Sequence, residues 1–96
     1  MTDTIDVVTT PTFRKAVKKL KPNQKADLDN AIRQLMAAPL QGEQKKGDLA
    51  FMRVFKFNMA KQLTLLAYSY DDHRLILELI TLGSHGNFYR DLKRLF

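Results

Sequence analysis

A histidine and a tyrosine stand four residues apart in a glycine-flanked segment near the C-terminus. Residues 83–90 read Gly-Ser-His-Gly-Asn-Phe-Tyr-Arg, so the pair is His85 and Tyr89. An imidazole can exchange a proton near neutral pH, and a phenol can stack on a base or hold the proton of a leaving group. The pair therefore suits RNA scission. A purely structural alternative is that His85 caps the turn and Tyr89 packs beneath the tail.

A basic run in the first third of the chain is the second feature that could have a chemical function. It holds six cations with no intervening acid: Arg14, Lys15, Lys18, Lys19, Lys21 and Lys25. Such a surface can bind phosphates and release their counterions, or it can simply solubilise the outside of a helix. The formal net charge of +6 attracts nucleic acid, an anionic membrane or an acidic protein.

Several kinds of site are excluded by composition. The chain has no cysteine, which excludes disulfides, thiolate zinc sites and cysteine nucleophiles and suits a reducing cytosol. It carries no phosphate-binding glycine loop, no GxSxG and no HExxH. His73 and His85 stand apart from any carboxylate cluster with metal-ligand spacing. We therefore predict neither a metal nor a cofactor.

The length of 96 residues predicts one domain that spans residues 1–96. The N-terminus lacks the basic and apolar regions of a secretory signal. The longest apolar runs, such as residues 75–77, are far shorter than the ~20 residues of a membrane span. These features predict a soluble, cytoplasmic protein with no membrane partner.

The first half of the chain is predicted to form a strand and a helical hairpin. Residues 5–10 are β-branched and end in Thr10-Pro11, a typical helix start. Apolar residues then recur at helical spacing to residue 20, and Lys21-Pro22 breaks this helix and begins another, which Pro39 ends. Residues 41–48 carry two glycines and mixed charge and are predicted to be an exposed loop.

The second half is predicted to form a three-stranded meander over residues 51–58, 63–70 and 74–82. Alternation places Lys56 on the face opposite Phe55 and Phe57, whereas Arg53 is in phase with the phenylalanines and lies near a sheet margin. Asn87 is expected to cap a final helix with an apolar stripe of Phe88, Leu92, Leu95 and Phe96. The predicted fold is α+β, in the order β-α-α-β-β-β(α), with the helical hairpin packed on an antiparallel sheet.

This layout, together with the segment Leu-Gly-Ser-His-Gly-Asn-Phe-Tyr-Arg-Asp-Leu at residues 82–92, resembles the RelE/ParE superfamily of bacterial type II toxins. It is most similar to the YafQ-type branch. The resemblance covers nearly the whole chain, and residues 83–89 are its most specific part. It implies the RelE-like fold. For the nuclease branch it also implies an mRNA interferase, an endoribonuclease that enters the ribosome and cleaves mRNA, with no cofactor.

The resemblance also implies roles for particular residues. His85 and Tyr89 match the histidine and aromatic residue of the family signature, with acid and base roles left open. Lys56 is the candidate for phosphate stabilisation, and Arg53 assists it or binds rRNA. Many relatives carry an arginine early in the third strand, but residues 62–65 read Gln-Leu-Thr-Leu. The remaining candidates for nucleic-acid binding are Lys15, Lys18, Lys19, Lys61, Arg90 and Arg94.

The implied partners are the ribosome with its mRNA and a cognate antitoxin. Antitoxins of this class wrap an extended or helical segment over the toxin, and the positive charge favours an acidic segment within a toxin–antitoxin hetero-oligomer. Two other functions stay open. ParE-type members of the superfamily poison DNA gyrase and need no catalytic constellation, and a non-catalytic RNA-binding or antitoxin-binding module would carry the same basic charge.

Overall fold

The strand–helix–helix–meander order predicted from the sequence is present in the computed structural model, which describes residues 4–95 apart from the side chains of residues 91 and 95. The elements, in chain order, are β1 (Asp6–Thr9), α1 (Pro11–Lys18), α2 (Pro22–Ala37), β2 (Glu43–Gln44), a 3-10 turn (Gly47–Leu49), β3 (Arg53–Met59), β4 (Gln62–Asp71), β5 (Ile76–Ser84) and α3 (His85–Leu95). No helix in this described part is long and apolar enough to cross a membrane.

Both helices of the hairpin begin where the sequence predicts. The Thr10 side chain accepts a hydrogen bond of 3.1 Å from the Phe13 amide, and Pro11 is the first helical residue. This satisfies one of the amides that a helix start leaves unpaired. At the start of α2 the Gln24 side chain accepts a 2.8 Å bond from the Lys21 amide. The hairpin is confirmed.

The five strands form one sheet in the order β1-β5-β4-β3-β2. Strands β3 to β5 pair antiparallel, as predicted, and β2 adds a further antiparallel pairing with β3, whereas β1 pairs parallel to β5, so the sheet is mixed. Parallel strands require a long connection between them. Here the connection contains α1, α2 and the other three strands. The prediction that residues 41–48 are only a loop is wrong, because β2 and part of the 3-10 turn lie there.

The pairing of β4 with β5 contains a bulge. Ala67 lies opposite Thr81 and Tyr68 opposite Leu79, which leaves Ile80 as an extra residue in β5. The extra residue changes which side chains face each side of the sheet, because alternation has a period of two residues.

Each face of the sheet has its own core. The hairpin face is the side on which α1 and α2 pack, and its buried cluster includes Phe13, Leu35, Leu66 and Tyr68. The α3 face is the opposite side, where Phe88 and Leu92 of α3 join a cluster with Met52, which precedes β3, and with these strand residues: Val54, Leu65, Ala67 and Ile80. The predicted tail therefore covers the second face of the sheet.

The start of α3 differs from the prediction. The helix begins at His85, immediately after β5, so Asn87 is not its cap; its side chain instead accepts a 2.7 Å hydrogen bond from Arg90. Phe88 and Leu92 of the predicted apolar stripe are buried. The Leu95 side chain and Phe96 lie outside what the structure describes.

Candidate functional site

Lys56 lies on the α3 face of the sheet. It alternates in phase with Val54, which is buried against α3, while Lys56 itself is exposed. Lys56 is opposite Leu65 in β4, and Leu65 is opposite Gly83 in β5. Two strand spacings, roughly 10 Å, thus separate the backbone of Lys56 from the end of β5.

His85 is the first residue of α3 and is exposed. Because α3 follows Ser84 without a connecting loop, the histidine stands at the place where β5 passes into the helix. The helix then packs on β5 and β4. The direct passage from strand to helix fixes the backbone of His85 at the rim of the α3 face.

Tyr89 lies one helical turn beyond His85 and contacts Lys45, which was not among the predicted site residues. The Lys45 ammonium donates a 3.1 Å hydrogen bond to the Tyr89 hydroxyl and lies 5.3 Å from the centre of its ring. It also forms an ion pair of 3.4 Å with Glu43. The Tyr89 ring packs edge-on against Phe88 with centroids 5.1 Å apart and keeps 39% of its surface exposed.

The pKa of Lys45 is raised above its usual value. The main cause is the hydrogen bond to Tyr89, which favours the charged amine; partial burial opposes it, and Glu43 adds to the rise. The amine is therefore a fixed positive charge at neutral pH. The Lys45 side chain is only 20% exposed, because its contacts with Glu43 and Tyr89 hold it against the protein and not in solvent.

Sequence patterns gave no reason to choose Lys45. It follows a strand of two residues, which is too short to show alternation, and the tyrosine it meets is 44 positions away. The only local signal is a pair of lysines at 45 and 46 between two glycines. In the structure the Lys45 amide donates to the Met52 carbonyl at 3.1 Å, which extends the β2–β3 pairing and turns this side chain to the α3 face.

Two grooves adjoin these residues. One, of about 290 Å³, lies between the 3-10 turn and α3 and is lined by Leu49, Tyr89 and Leu92, among others. The other, of about 270 Å³, lies at the β2–β3 edge and is lined in part by Glu43 and Lys56. Tyr89 and Lys56 thus line separate grooves, and the ion pair of Glu43 with Lys45 connects the two.

Arg53 does not join this group. Its guanidinium points to the hairpin face, in phase with the phenylalanines, and donates hydrogen bonds of 3.0 Å to the Leu40 carbonyl and 2.8 Å to the Gly42 carbonyl. Arg53 and Lys56 therefore face opposite sides of β3, as alternation predicted, because positions that differ by an odd number along a strand lie on opposite faces.

The other predicted nucleic-acid contacts are divided between the two faces. Lys15 and Lys18 are exposed on α1 and Lys19 is exposed at its C-terminal cap, and α1 packs on the hairpin side. Lys61 is exposed in the β3–β4 turn, where it adopts a positive φ of 67°. Arg90 and Arg94 are exposed on α3. Among the described residues, no group of three or more His, Asp or Glu side chains could hold a metal ion.

The architecture is that of a small bacterial toxin fold. The RelBE2 toxin–antitoxin complex from Mycobacterium tuberculosis contains a chain that matches with a TM-score of 0.72 and 22% identity, over 86% of this chain and 100% of that one. A mutant of the Escherichia coli toxin RelE in the free state matches with a TM-score of 0.71 and 14% identity, over 98% and 100%. A complex of that mutant toxin with an antitoxin RelB peptide also matches, with a TM-score of 0.67 and 13% identity over 94% and 95%.

The family follows from the sequence itself. Residues 7–93 match the family described as the ParE-like toxin of the type II bacterial toxin–antitoxin system. The chain belongs to this family, and the resemblance to the RelE/ParE superfamily is confirmed. No curated protein matches the chain significantly.

Proposed function

We propose that this toxin is a ribosome-dependent endoribonuclease that cleaves mRNA and so inhibits translation. The observation that supports the proposal is that Lys45, Lys56 and Tyr89 lie on the α3 face and that His85, the first residue of α3, stands where β5 passes into that helix. RNA cleavage needs a proton acceptor, a proton donor and positive charge around the phosphate. These four side chains have the chemistry for all three tasks.

In the proposed reaction the ribose 2′-oxygen loses its proton and attacks the adjacent phosphorus. The bond from phosphorus to the 5′-oxygen breaks, and that oxygen gains a proton. The products are a 2′,3′-cyclic phosphate and a 5′-hydroxyl. The imidazole of His85 serves as acid or as base, since either proton transfer is within its chemistry.

Positive charge for the crowded phosphorane comes from two lysines. Lys56 is exposed and free to approach a phosphate, whereas Lys45 is held by Tyr89 and Glu43. A preorganised charge stabilises a transition state more than a mobile one, because no reorganisation is needed when charge develops. The proposal requires neither a metal nor a cofactor.

Tyr89 is the proposed platform for a base beside the scissile phosphate. Its ring is partly exposed and adjoins the groove of about 290 Å³ by α3. Stacking of a base on an aromatic ring contributes about 1 to 3 kcal/mol and tolerates several bases. The Phe88 ring supports Tyr89 edge-on from the core.

The proposed partners are a cognate antitoxin with an acidic segment and, in the cytoplasm, the translating ribosome. Support for the antitoxin comes from the RelE-type folds that have been seen in complex with antitoxins. The net charge of +6 favours an acidic segment in both the rate and the specificity of association.

One observation favours gyrase inhibition as a second candidate. The β4 positions next to the proposed site, residues 62–65, carry no cation, although a phosphate-cleaving site would gain from one there. Gyrase inhibition does not need a cation in this part of β4.

Controlled expression in bacteria tests the proposal. The wild type, His85→Ala and Tyr89→Ala are induced, and the ends of a reporter mRNA are mapped by primer extension. His73→Ala is the matched control, since His73 is exposed in the β4–β5 turn, away from α3. We expect growth arrest and cuts within codons for the wild type and the control, and a strong loss of cleavage for the other two.

A second transcript without a start codon should remain intact, because the proposed cleavage requires translation. Growth arrest with intact mRNA and an SOS response would support gyrase inhibition instead. Absence of arrest would indicate a non-catalytic binding module.

A further inference from the structure

Arg53 and Tyr68 hold the turn between α2 and β2 from the hairpin face. The Tyr68 hydroxyl donates a 2.7 Å hydrogen bond to the Pro39 carbonyl and accepts a 2.9 Å bond from the Gly42 amide. The Arg53 guanidinium donates to the carbonyls of Leu40 and Gly42. We refer to these four hydrogen bonds between the two side chains and residues 39–42 as the turn clasp.

The clasp depends on close approach at Gly42. A Cβ atom at this position would lie 2.5 Å from the Tyr68 hydroxyl oxygen and 2.7 Å from a carbon of its ring. Tyr68 is fully buried, so its ring has no space into which it can move. Only glycine allows the turn to lie this near to the phenol.

The clasped turn leads directly into the segment that carries Lys45. Strand β2 follows Gly42 and has only two ladder pairs, Glu43 with Val54 and Gln44 with Arg53. A strand of this length has few hydrogen bonds of its own to fix its place at the sheet edge. Lys45 is three residues beyond Gly42, and its side chain contacts Tyr89 on the opposite face.

We propose that Arg53 and Tyr68 are positioning residues for the reactive face: by clasping residues 39–42 they fix β2 so that Lys45 meets Tyr89. The consequence for catalysis rests on the proposed function, but the positioning itself does not. This role replaces the direct catalytic role that the family resemblance implied for Arg53. A side chain on the hairpin face acts here through the backbone of an edge strand.

Three substitutions release the clasp in different ways. Tyr68→Phe removes the hydroxyl and keeps the ring, Gly42→Ala forces the ring and the turn apart, and Arg53→Met removes the guanidinium and keeps an apolar stem. Tyr70→Phe is the matched control, because Tyr70 lies two residues along β4 on the same face and its hydroxyl makes no hydrogen bond within the described residues.

The first measurement is the proximity of Lys45 to Tyr89 in the purified toxin. It is detected as a nuclear Overhauser effect between the Lys45 ε-methylene and the Tyr89 ring. We expect the signal in the wild type and in Tyr70→Phe, and its loss or strong reduction in Tyr68→Phe and Gly42→Ala. Dispersed amide spectra must show that each variant is folded. If Gly42→Ala does not fold, Tyr68→Phe decides. Retention of the signal in a folded Tyr68→Phe overturns the proposal.

The second measurement is single-turnover cleavage of mRNA on programmed ribosomes. Misplacement of a catalytic group by about 1 Å can cost a hundredfold in rate. We expect the cleavage step to slow by about tenfold to a hundredfold in the clasp variants, with ribosome affinity unchanged. A slower Arg53→Met with an intact Lys45 to Tyr89 signal would mean that Arg53 acts on RNA directly, which overturns its positioning role.

The two proposals can fail separately. An inactive wild type on ribosomes would overturn the nuclease function and leave the proximity measurement to decide the positioning. Full activity in a variant that has lost the Lys45 to Tyr89 contact would show that the contact is not needed for cleavage, which overturns the catalytic consequence of the clasp.

Discussion

The ammonium group of Lys45 donates a 3.1 Å hydrogen bond to the hydroxyl of Tyr89, and this joins the end of β2 to α3 across 44 positions of sequence. The bond keeps a positive charge next to an aromatic ring that is partly open to solvent. A nucleotide stacked on that ring would bring its phosphates close to the charge.

Replacement of Lys45 should slow cleavage without preventing ribosome binding. Lys45→Met keeps the aliphatic stem and removes the charge that faces the proposed phosphorane, so the single-turnover rate should fall by about a hundredfold, as for loss of one preorganised donor. Lys46→Met is the control, because Lys46 is exposed and lies one residue beyond the Tyr89 contact. Equal rates for the two variants would contradict a role for Lys45.

The ring and the hydroxyl of Tyr89 should contribute separately. Tyr89→Phe keeps the stacking surface but removes the hydrogen bond to Lys45, whereas Tyr89→Ala removes the stacking surface and the hydrogen bond. We expect a moderate loss of cleavage for the first and a near-complete loss for the second, since base stacking alone contributes about 1 to 3 kcal/mol. The measurement is the rate of cleavage on programmed ribosomes. If Tyr89→Phe is as inactive as Tyr89→Ala, the hydroxyl has a direct chemical role instead.

The cations of α1 should affect binding and not the chemical step. The triple change of Lys15, Lys18 and Lys19 to Gln removes three exposed charges on the hairpin side. If they contact rRNA phosphates, the slope of log affinity against log salt should become shallower by roughly 2 to 3. Titration of ribosomes at several salt concentrations measures this slope. An unchanged slope would mean that these lysines only solubilise the helix.

Burial of Tyr68 predicts a loss of stability at high pH. Desolvation raises the pKa of its phenol above the usual value of 10.0, against the smaller lowering effect of the Gly42 amide. The folded state therefore favours the neutral phenol more than the unfolded state does. This contribution is complete below pH 10 and is lost as pH rises through the folded pKa. Urea unfolding between pH 8 and 11.5 measures it.

Tyr68→Phe provides the comparison for that titration. The variant has no phenol to ionise, so its stability should fall less steeply above pH 10 than that of the wild type. At neutral pH it should be less stable by about 2 kcal/mol, because the buried Gly42 amide and the Pro39 carbonyl lose their partner. Tyr70→Phe should follow the wild type. Parallel pH curves for Tyr68→Phe and the wild type would contradict this account.

Local signals predicted the helices and the strand faces. Thr10-Pro11 and Lys21-Pro22 mark the helix starts, and period-2 alternation placed Lys56 and Arg53 on opposite faces of β3. The parallel pairing of β1 with β5 was not predicted, because its partners are 70 residues apart and no local pattern records them. The strand limits differ from the prediction by one or two residues. At the β4–β5 turn, Asp71 accepts hydrogen bonds from the amides of His73 and Arg74 and closes the turn.

The candidate site was predicted only in part for the same reason. His85 and Tyr89 belong to a motif that can be read along the chain, and Lys56 follows from alternation. The role of Arg53 depends on the path of the turn at residues 39–42, and that of Lys45 on a contact between distant elements. Such contacts depend on tertiary packing, which a short sequence window does not contain.

The bulge in β5 determines on which side of the molecule the final helix lies. With Ile80 as an extra residue, Gly83 lies opposite Leu65, and α3 leaves the strand toward the side that also carries Lys45. If the same nine residues paired without a bulge, regular alternation would place every residue after Ile80 on the other face, and Leu82 would leave the hairpin-side core that it shares with Leu79. One unpaired position in β5 thus selects the face to which the C-terminal segment is delivered.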